Sequence, residues 1–335
     1  MPGRLSVRLP NWLGDTVMAV PALRALRETL TGTEILLAGP WASLLDGQGL
    51  ADALIPYPRS WRGRLRAAGR VRDFDGDTVL LLPNSFEAAA AAVLWGGRRR
   101  VGFARGGRSW LLTDAVEPPG PRLHQADEYA RLVERLDVAV ASRDPRLEPP
   151  AADSPERERV RALVGRDAAT ARRRGRRLVG VHLGAAYGSA KVWHRERVVE
   201  FCALLGRAGD VAVLLGAPED AAAVAEVLAA APAVSLVGRD GPELLPALLT
   251  ELDALVSGDT GVAHLAAALG TPAVVLFGPT DPELTAPRGP VAVLRRAVPC
   301  APCFYRVCPI DHPCMRLLEA AAVRERVDAL VARRA

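Results

Sequence analysis

The basic residues of this chain are almost all of one kind: of 43, only Lys191 is a lysine and the rest are arginine. Alanine, arginine, glycine and proline abound, as GC-rich coding would produce. Under that bias lysines drift to arginine wherever a positive charge alone is needed. A lysine that survives alone is either one that arginine cannot replace or an accident, and composition does not choose between the two. Aromatic residues are scarce, at 5%, and the net charge of +5 is mild. Few stacking platforms and no strong basic excess weigh against nucleic acid as a partner. Long apolar runs are also missing. None reaches the roughly 18 residues a membrane-spanning helix needs; the longest, residues 88–95, stops at Gly96-Gly97 and reads as a buried helix. Residues 5–9 enter a strand pattern at once, with no secretory apolar region before them. A cytoplasmic location is the expectation.

What remains is a 335-residue composition, half apolar and about a quarter charged, ample for two globular domains. Strand-like runs at 5–9, 34–38, 78–82 and 101–103 alternate with helical patterns, the clearest at 15–30. Such alternation argues for a parallel, doubly wound sheet. Residues 141–156 carry Pro145, Pro149, Pro150 and Pro155 and are the best linker candidate. The pattern restarts with strands at 178–182, 211–215, 234–237, 254–256 and 273–277, separated by helices. The fold class expected is therefore α/β, two Rossmann-like domains facing a cleft in the GT-B manner. Residues 1–160 would form the first domain and 175–335 the second, with a C-terminal helix from about residue 320 crossing back to the first.

Four segments carry candidate chemistry. Ser257-Gly258-Asp259-Thr260-Gly261 joins a strand to an Ala/Leu helix, with His264 one turn in. The two glycines permit close backbone approach, Thr260 suits a helix cap, and the helix start favours a phosphate. Local capping and packing would explain the same residues. His182 to Trp193 is a Gly/Ala/Ser loop that delivers Lys191, whose compact ammonium suits a diphosphate. Asn11-Trp12-Leu13-Gly14-Asp15 follows the first strand; Asp15 is either a base that accepts a hydroxyl proton or a helix N-cap, and Gly14 allows a tight turn. Arg59, Arg62, Arg64, Arg66, Arg70 and Arg72 form one acid-free block, and Arg98, Arg99, Arg100, Arg105 and Arg108 a second. These are solvated faces, or grips for carboxylate or phosphate groups of an acceptor, or contacts to an anionic membrane.

Four of the five cysteines crowd into Cys300-x2-Cys303-x4-Cys308-x5-Cys314. That spacing leaves open a structural metal, with His312 as a further ligand, a pair of disulfides, or reduced thiols in a folded loop. A dehydrogenase is disfavoured because no GxGxxG follows the first strand.

The segments around 8–15, Lys191-Val192-Trp193, 257–264 and Phe277-Gly278-Pro279-Thr280-Asp281-Pro282 together resemble glycosyltransferase family 9, the ADP-heptose:lipopolysaccharide heptosyltransferases. The cysteine-rich tail is similar to that of the heptosyltransferase II branch. The resemblance implies an inverting, metal-independent GT-B enzyme that needs no cofactor, working from a nucleotide-sugar donor such as ADP-heptose on an anionic glycan or glycolipid acceptor. It assigns Asp15 as general base and Lys191 to the departing diphosphate. Gly14, Asp259, Thr260, Gly261 and His264 fall to the donor site, with Glu219 or Asp220 on sugar or ribose hydroxyls. Arg59, Arg62 and Arg64 fall near the acceptor, and peripheral contact with the inner membrane surface is compatible with them. The composition also suits organisms without lipopolysaccharide, which leaves other sugars and envelope acceptors open. A nucleotide-sugar 2-epimerase and a non-catalytic sugar-nucleotide binder remain as alternatives.

Overall fold

The computed structural model describes residues 3–58, 61–239 and 241–333. The chain divides into two compact units, residues 1–145 and 146–335, and the proline-rich stretch 141–156 straddles the division. Among the described residues, no helix is long and apolar enough to cross a membrane.

In the first unit, six parallel strands form one sheet: β1 (Arg4–Arg8), β2 (Glu34–Gly39), β3 (Ala53–Pro56), β4 (Thr78–Leu81), β5 (Arg99–Phe103) and β6 (Asp114–Val116). Their spatial order is β3-β2-β1-β4-β5-β6. The helices between them are α1 (Leu13–Thr29), α2 (Trp61–Asp73) and α3 (Phe86–Leu94), with α4 (Gln125–Glu134) after the last strand. Central strands covered on both faces need continuous apolar runs, which is why β2 reads Glu-Ile-Leu-Leu-Ala-Gly with only its first residue exposed. One cluster of the core packs Leu36, Val79, Leu81, Ala88, Ala92 and Trp95.

The second unit repeats the plan with β7 (Leu178–His182), β8 (Val211–Leu215), β9 (Val234–Ser235), β10 (Ala254–Gly258), β11 (Ala273–Phe277) and β12 (Val291–Arg295), in the order β12-β11-β10-β7-β8-β9. Helix α5 (Pro155–Arg173) leads into this sheet. Then come α6 (Arg195–Arg207), α7 (Ala221–Ala230), α8 (Leu245–Thr250), α9 (Gly261–Ala268), the short α10 (Pro282–Thr285) and α11 (Pro313–Arg316), and finally α12 (Ala320–Ala332). The buried face of α12, Ala320, Val323 and Val327, lies in the core of this unit with Phe201, Val256 and Met315. Through this face α12 packs within the second unit.

Both sheets reverse direction once, between β1 and β4 and between β7 and β10. At such a switch point the loops leaving the two strands diverge to opposite faces, and the space between their carboxyl ends is where doubly wound sheets bind ligands. The register sets Arg8 beside Leu81 and Ser257 beside His182. The Asp15 segment therefore leaves one switch point, and the Lys191 loop and the 257–264 segment leave the other.

Helix α5 shows how the second unit is tied together. Gly165 breaks it with a φ of 78°, and both halves turn toward one buried carboxylate. Glu251, 2% exposed, accepts from Arg157 Nε at 2.7 Å and Arg161 Nη2 at 2.8 Å, with Arg172 Nη2 at 3.2 Å. These arginines hold its carboxyl below the usual glutamate range against the opposing effect of burial. A carboxyl with a lowered native pKa stabilises the fold above its unfolded pKa. That stability begins to fade as pH falls below about 4.5 and is gone below the native value. Glu251→Gln would leave three guanidinium groups around a neutral amide. It should cost about 3 kcal/mol, at the low end for broken buried pairs because the arginines are partly solvated. Urea unfolding at pH 7 should show a lower midpoint with an unchanged slope; an unchanged midpoint would contradict this role.

Candidate active site

In the second unit the site assembles around Lys191 and Asp259. The loop after β7 ends in a single turn at Ser189–Lys191, and β10 delivers Asp259 through Gly258. Gly258 has to be glycine: a Cβ there would sit 2.6 Å from the Lys191 carbonyl oxygen. The Lys191 ammonium is 2.6 Å from Asp259 Oδ2 and donates also to the Asp259 carbonyl at 3.1 Å. Both side chains are nearly buried, 11% and 6% exposed, so the pair is a charge contact largely shielded from water. Thr280, in the loop after β11, donates its hydroxyl to the same Oδ2 at 2.8 Å. His264 Nε2 lies 4.0 Å from the other oxygen. In the sequence Thr280 is one residue of the Phe277–Pro282 segment with no role of its own; its contact with Asp259 joins groups 21 residues apart.

Thr260 occupies the N-cap position of α9, but its side chain makes no cap hydrogen bond. Its hydroxyl meets Ser257 Oγ at 2.8 Å instead. The capping role expected from its position is thus not taken up. Ala263 N donates to the Thr260 carbonyl at 3.1 Å, and the N–H groups ahead of it, those of Gly261 and Val262, have no partner within the helix.

At the end of β8, the two acidic candidates separate. The Asp220 carboxylate accepts from Ala217 N at 2.9 Å, and a Cβ on Gly184 or Gly216 would come within 2.5 and 2.6 Å of it. It is wedged between two strand-to-helix loops. Glu219 is exposed.

In the first unit, Asp15 is the third residue of α1, half-buried, and the N-cap is Trp12 with extended backbone. The N-cap reading of Asp15 therefore does not hold. Gly14 lies buried inside the first helical turn and not in a tight turn ahead of it. Tyr129 of α4 is buried close enough to feel the Asp15 charge. Burial, then the negative charges of Asp15 and Glu128, raises its hydroxyl well above the ordinary tyrosine range. The segment that leads into α1 is pinned by Arg8, which is fully buried. Arg8 donates to the Leu9 carbonyl at 2.5 Å and Asn11 Oδ1 at 2.7 Å, lies 4.5 Å from the Tyr57 ring centre and approaches Glu87 at 3.6 Å. Burial lowers its pKa, with Glu87 acting in the opposite direction.

The arginine blocks divide. Arg62 and Arg64 lie on α2; Arg64 stands 3.4 Å from Glu87 and faces the Tyr57 ring at 5.8 Å. Arg59 lies outside the described residues. The second block is not an open anion-binding face: Arg98 pairs with Asp77, Arg99 with Asp114 and Arg105 with Glu128. Arg100 donates to the Leu111 and Gly97 carbonyls. Arg108 is fully buried and donates to the Phe103, Pro83 and Ser85 carbonyls, and burial lowers its pKa to about 10. It holds the loop after β4 from beneath.

The cysteines Cys300, Cys303, Cys308 and Cys314 are free thiols, the first exposed and the last buried. Among the described residues, no group of three or more histidine, cysteine or acidic side chains is arranged to hold a metal ion. No disulfide joins them, yet the thiols lie near one another: burial first, and then the neighbouring Cys300, Cys303 and Cys308, raise the Cys314 thiol above the ordinary cysteine range.

The profile of "Glycosyltransferase family 9 (heptosyltransferase)" matches residues 64–313, three quarters of the chain. The chain belongs to glycosyltransferase family 9. Lipopolysaccharide heptosyltransferase 2 of Salmonella typhimurium is 30% identical over 300 residues, covering 83% of each chain. The ADP-heptose lipopolysaccharide heptosyltransferase II of Escherichia coli superimposes with a TM-score of 0.79 over 99% of both chains at 24% identity. A family 9 protein of Veillonella parvula gives 0.82 over 99% and 97% at 19% identity. These likenesses establish the GT-B fold, and family membership makes the protein a glycosyltransferase.

Proposed function

We propose that this glycosyltransferase moves a heptose from ADP-heptose to a lipopolysaccharide-core acceptor, inverting the anomeric centre in a single displacement. The observation that carries the proposal is the Lys191–Asp259–Thr280 cluster at the second switch point. An acceptor hydroxyl oxygen attacks the anomeric carbon, and the bond from that carbon to the diphosphate oxygen breaks. Its electron pair leaves with the diphosphate, and Asp15 takes the hydroxyl proton. The ammonium of Lys191 has three donors; two go to the Asp259 carboxylate and carbonyl, and the third meets the developing negative charge. The outward N–H groups at the start of α9, around Thr260 and Gly261, add a fixed positive end. Such preset charge on a leaving group is a large part of transition-state stabilisation. Asp259 and His264 shape this pocket, with Asp259 oriented by Thr280. Glu219 is the acidic residue left to reach donor hydroxyls, because Asp220 is committed to its own loops.

The acceptor belongs to the first unit in this scheme, with Arg62 and Arg64 of α2, and Arg59 ahead of them, meeting its anionic groups. A cytoplasmic address fits a donor of this kind, and the same arginines suit peripheral contact with the anionic inner-membrane face. The names of the Salmonella and Escherichia relatives support the sugar and the acceptor. A thermal-shift series with ADP, UDP, GDP and CDP tests the base, and ADP should stabilise most. Incubation with ADP-heptose and no acceptor should leave the sugar unchanged. Preference for another nucleotide would overturn the donor, and formation of an epimer would overturn transfer.

A further inference from the structure

The cysteine-rich segment holds no metal arrangement, yet it is fastened to the lysine site from two sides. Tyr187, four residues before Lys191, donates its hydroxyl to the Phe304 carbonyl at 2.6 Å. Phe304 N donates to the Pro279 carbonyl at 2.7 Å, beside Thr280. Ala190 N donates to the Arg306 carbonyl at 3.0 Å. Residues 304–306 thus bridge the loop carrying Lys191 and the loop carrying Thr280. The approach is close enough to dictate residue type. Gly188 has a φ of 151°, and a Cβ there would come within 2.3 Å of the Arg306 carbonyl oxygen. Phe304 takes a positive φ of 57°, a conformation that non-glycine residues hold only when their surroundings impose it.

This fastening sets the Arg306 guanidinium carbon 5.4 Å from the centre of the Tyr187 ring, while the Lys191 ammonium lies 4.7 Å from the same centre. Two cations share one ring, each attracted by its π cloud. Their charges are not equally balanced. Lys191 is paired with Asp259, whereas among the described residues no carboxylate pairs with Arg306. A diphosphate carries more negative charge than a lysine already facing a carboxylate can neutralise. A guanidinium beside it supplies the missing charge and a planar fork suited to phosphate oxygens.

We infer that Arg306 is a second cation of the donor site, binding the diphosphate together with Lys191 while Tyr187 holds both in place. This rests on the reading of that site as a diphosphate site. The cysteine-rich segment then serves as the arm that carries Arg306 in.

Calorimetric titration of the full chain with ADP, and with AMP by competition, tests it. Arg306→Gln should weaken ADP binding about tenfold or more while changing AMP binding less than about twofold, which removes the preference for the diphosphate. Arg306→Lys should restore part of that preference. Gly188→Ala, which displaces 304–306 without removing the arginine, should lose it as Arg306→Gln does. If Arg306→Gln weakens ADP and AMP equally, or weakens neither, Arg306 only packs on Tyr187 and the inference falls. If the wild-type protein binds neither nucleotide, the diphosphate reading falls and this inference falls with it.

Discussion

Asp15→Ala should lower kcat by about 10² to 10⁴, the span usual for losing a positioned general base, while ADP affinity stays within a few fold. The expectation comes from how the groups are distributed. Asp15 lies in the first turn of α1 in the first unit, and every charged group assigned to the diphosphate lies in the second. An aspartate is ionised at neutral pH but is a weak base. It suits a displacement in which the leaving group departs first and the proton moves late. Asp15→Asn keeps the shape and removes the charge, and should be nearly as inactive as the alanine variant. Tyr129 is buried beside this charge, so the melting temperature has to be followed with both variants to separate lost chemistry from a loosened α1–α4 contact. An equal loss of ADP affinity and turnover would remove Asp15 from the base role.

Lys191→Arg should lower kcat by about 10² to 10³, comparable with removing one preset donor from a transition-state site. The charge is retained, so the loss must come from shape. Lys191 is 11% exposed, and its ammonium lies 2.6 Å from Asp259 Oδ2 and 3.1 Å from the Asp259 carbonyl. A guanidinium brings a wide planar head to a position that accepts a compact one. Lys191→Ala is a poorer test, because it leaves Asp259 buried without its cation and should destabilise the unit by about 3 to 5 kcal/mol. Single-turnover rates with the arginine variant, at a melting temperature near that of the wild type, give the clean comparison. Full activity would show that the lone lysine of this arginine-rich chain is an accident.

The central strands of both sheets are legible from sequence because burial on two faces demands unbroken apolar runs, as in Ile35–Ala38 and Ala273–Phe277. The edge strands β3, β6 and β12 are half-exposed and short or mixed in pattern, and nothing local marks them. The same division holds at the site. The Gly258 and Gly261 positions, Asp259 and Lys191 can be picked out because strand–glycine–helix turns and a solitary lysine are local or compositional signals. Thr280 and Arg306 cannot, since each acquires its role from a partner far along the chain. Arginine in a GC-rich chain is the least informative residue of all. Arg8 and Arg108 are fully buried against carbonyl groups and a tyrosine ring, while Arg62 on α2 is exposed, and composition treats them alike. Only the tertiary fold shows which arginines close the architecture and which remain to meet a ligand.

The central claim is a single displacement in which the second unit holds the leaving diphosphate and Asp15 takes the proton. The anomeric configuration of the product, read by NMR after transfer from ADP-heptose to a lipopolysaccharide-core acceptor, tests it most directly. Inversion relative to the donor is the predicted result. Retention would contradict it, because one attack with one base cannot return the original configuration.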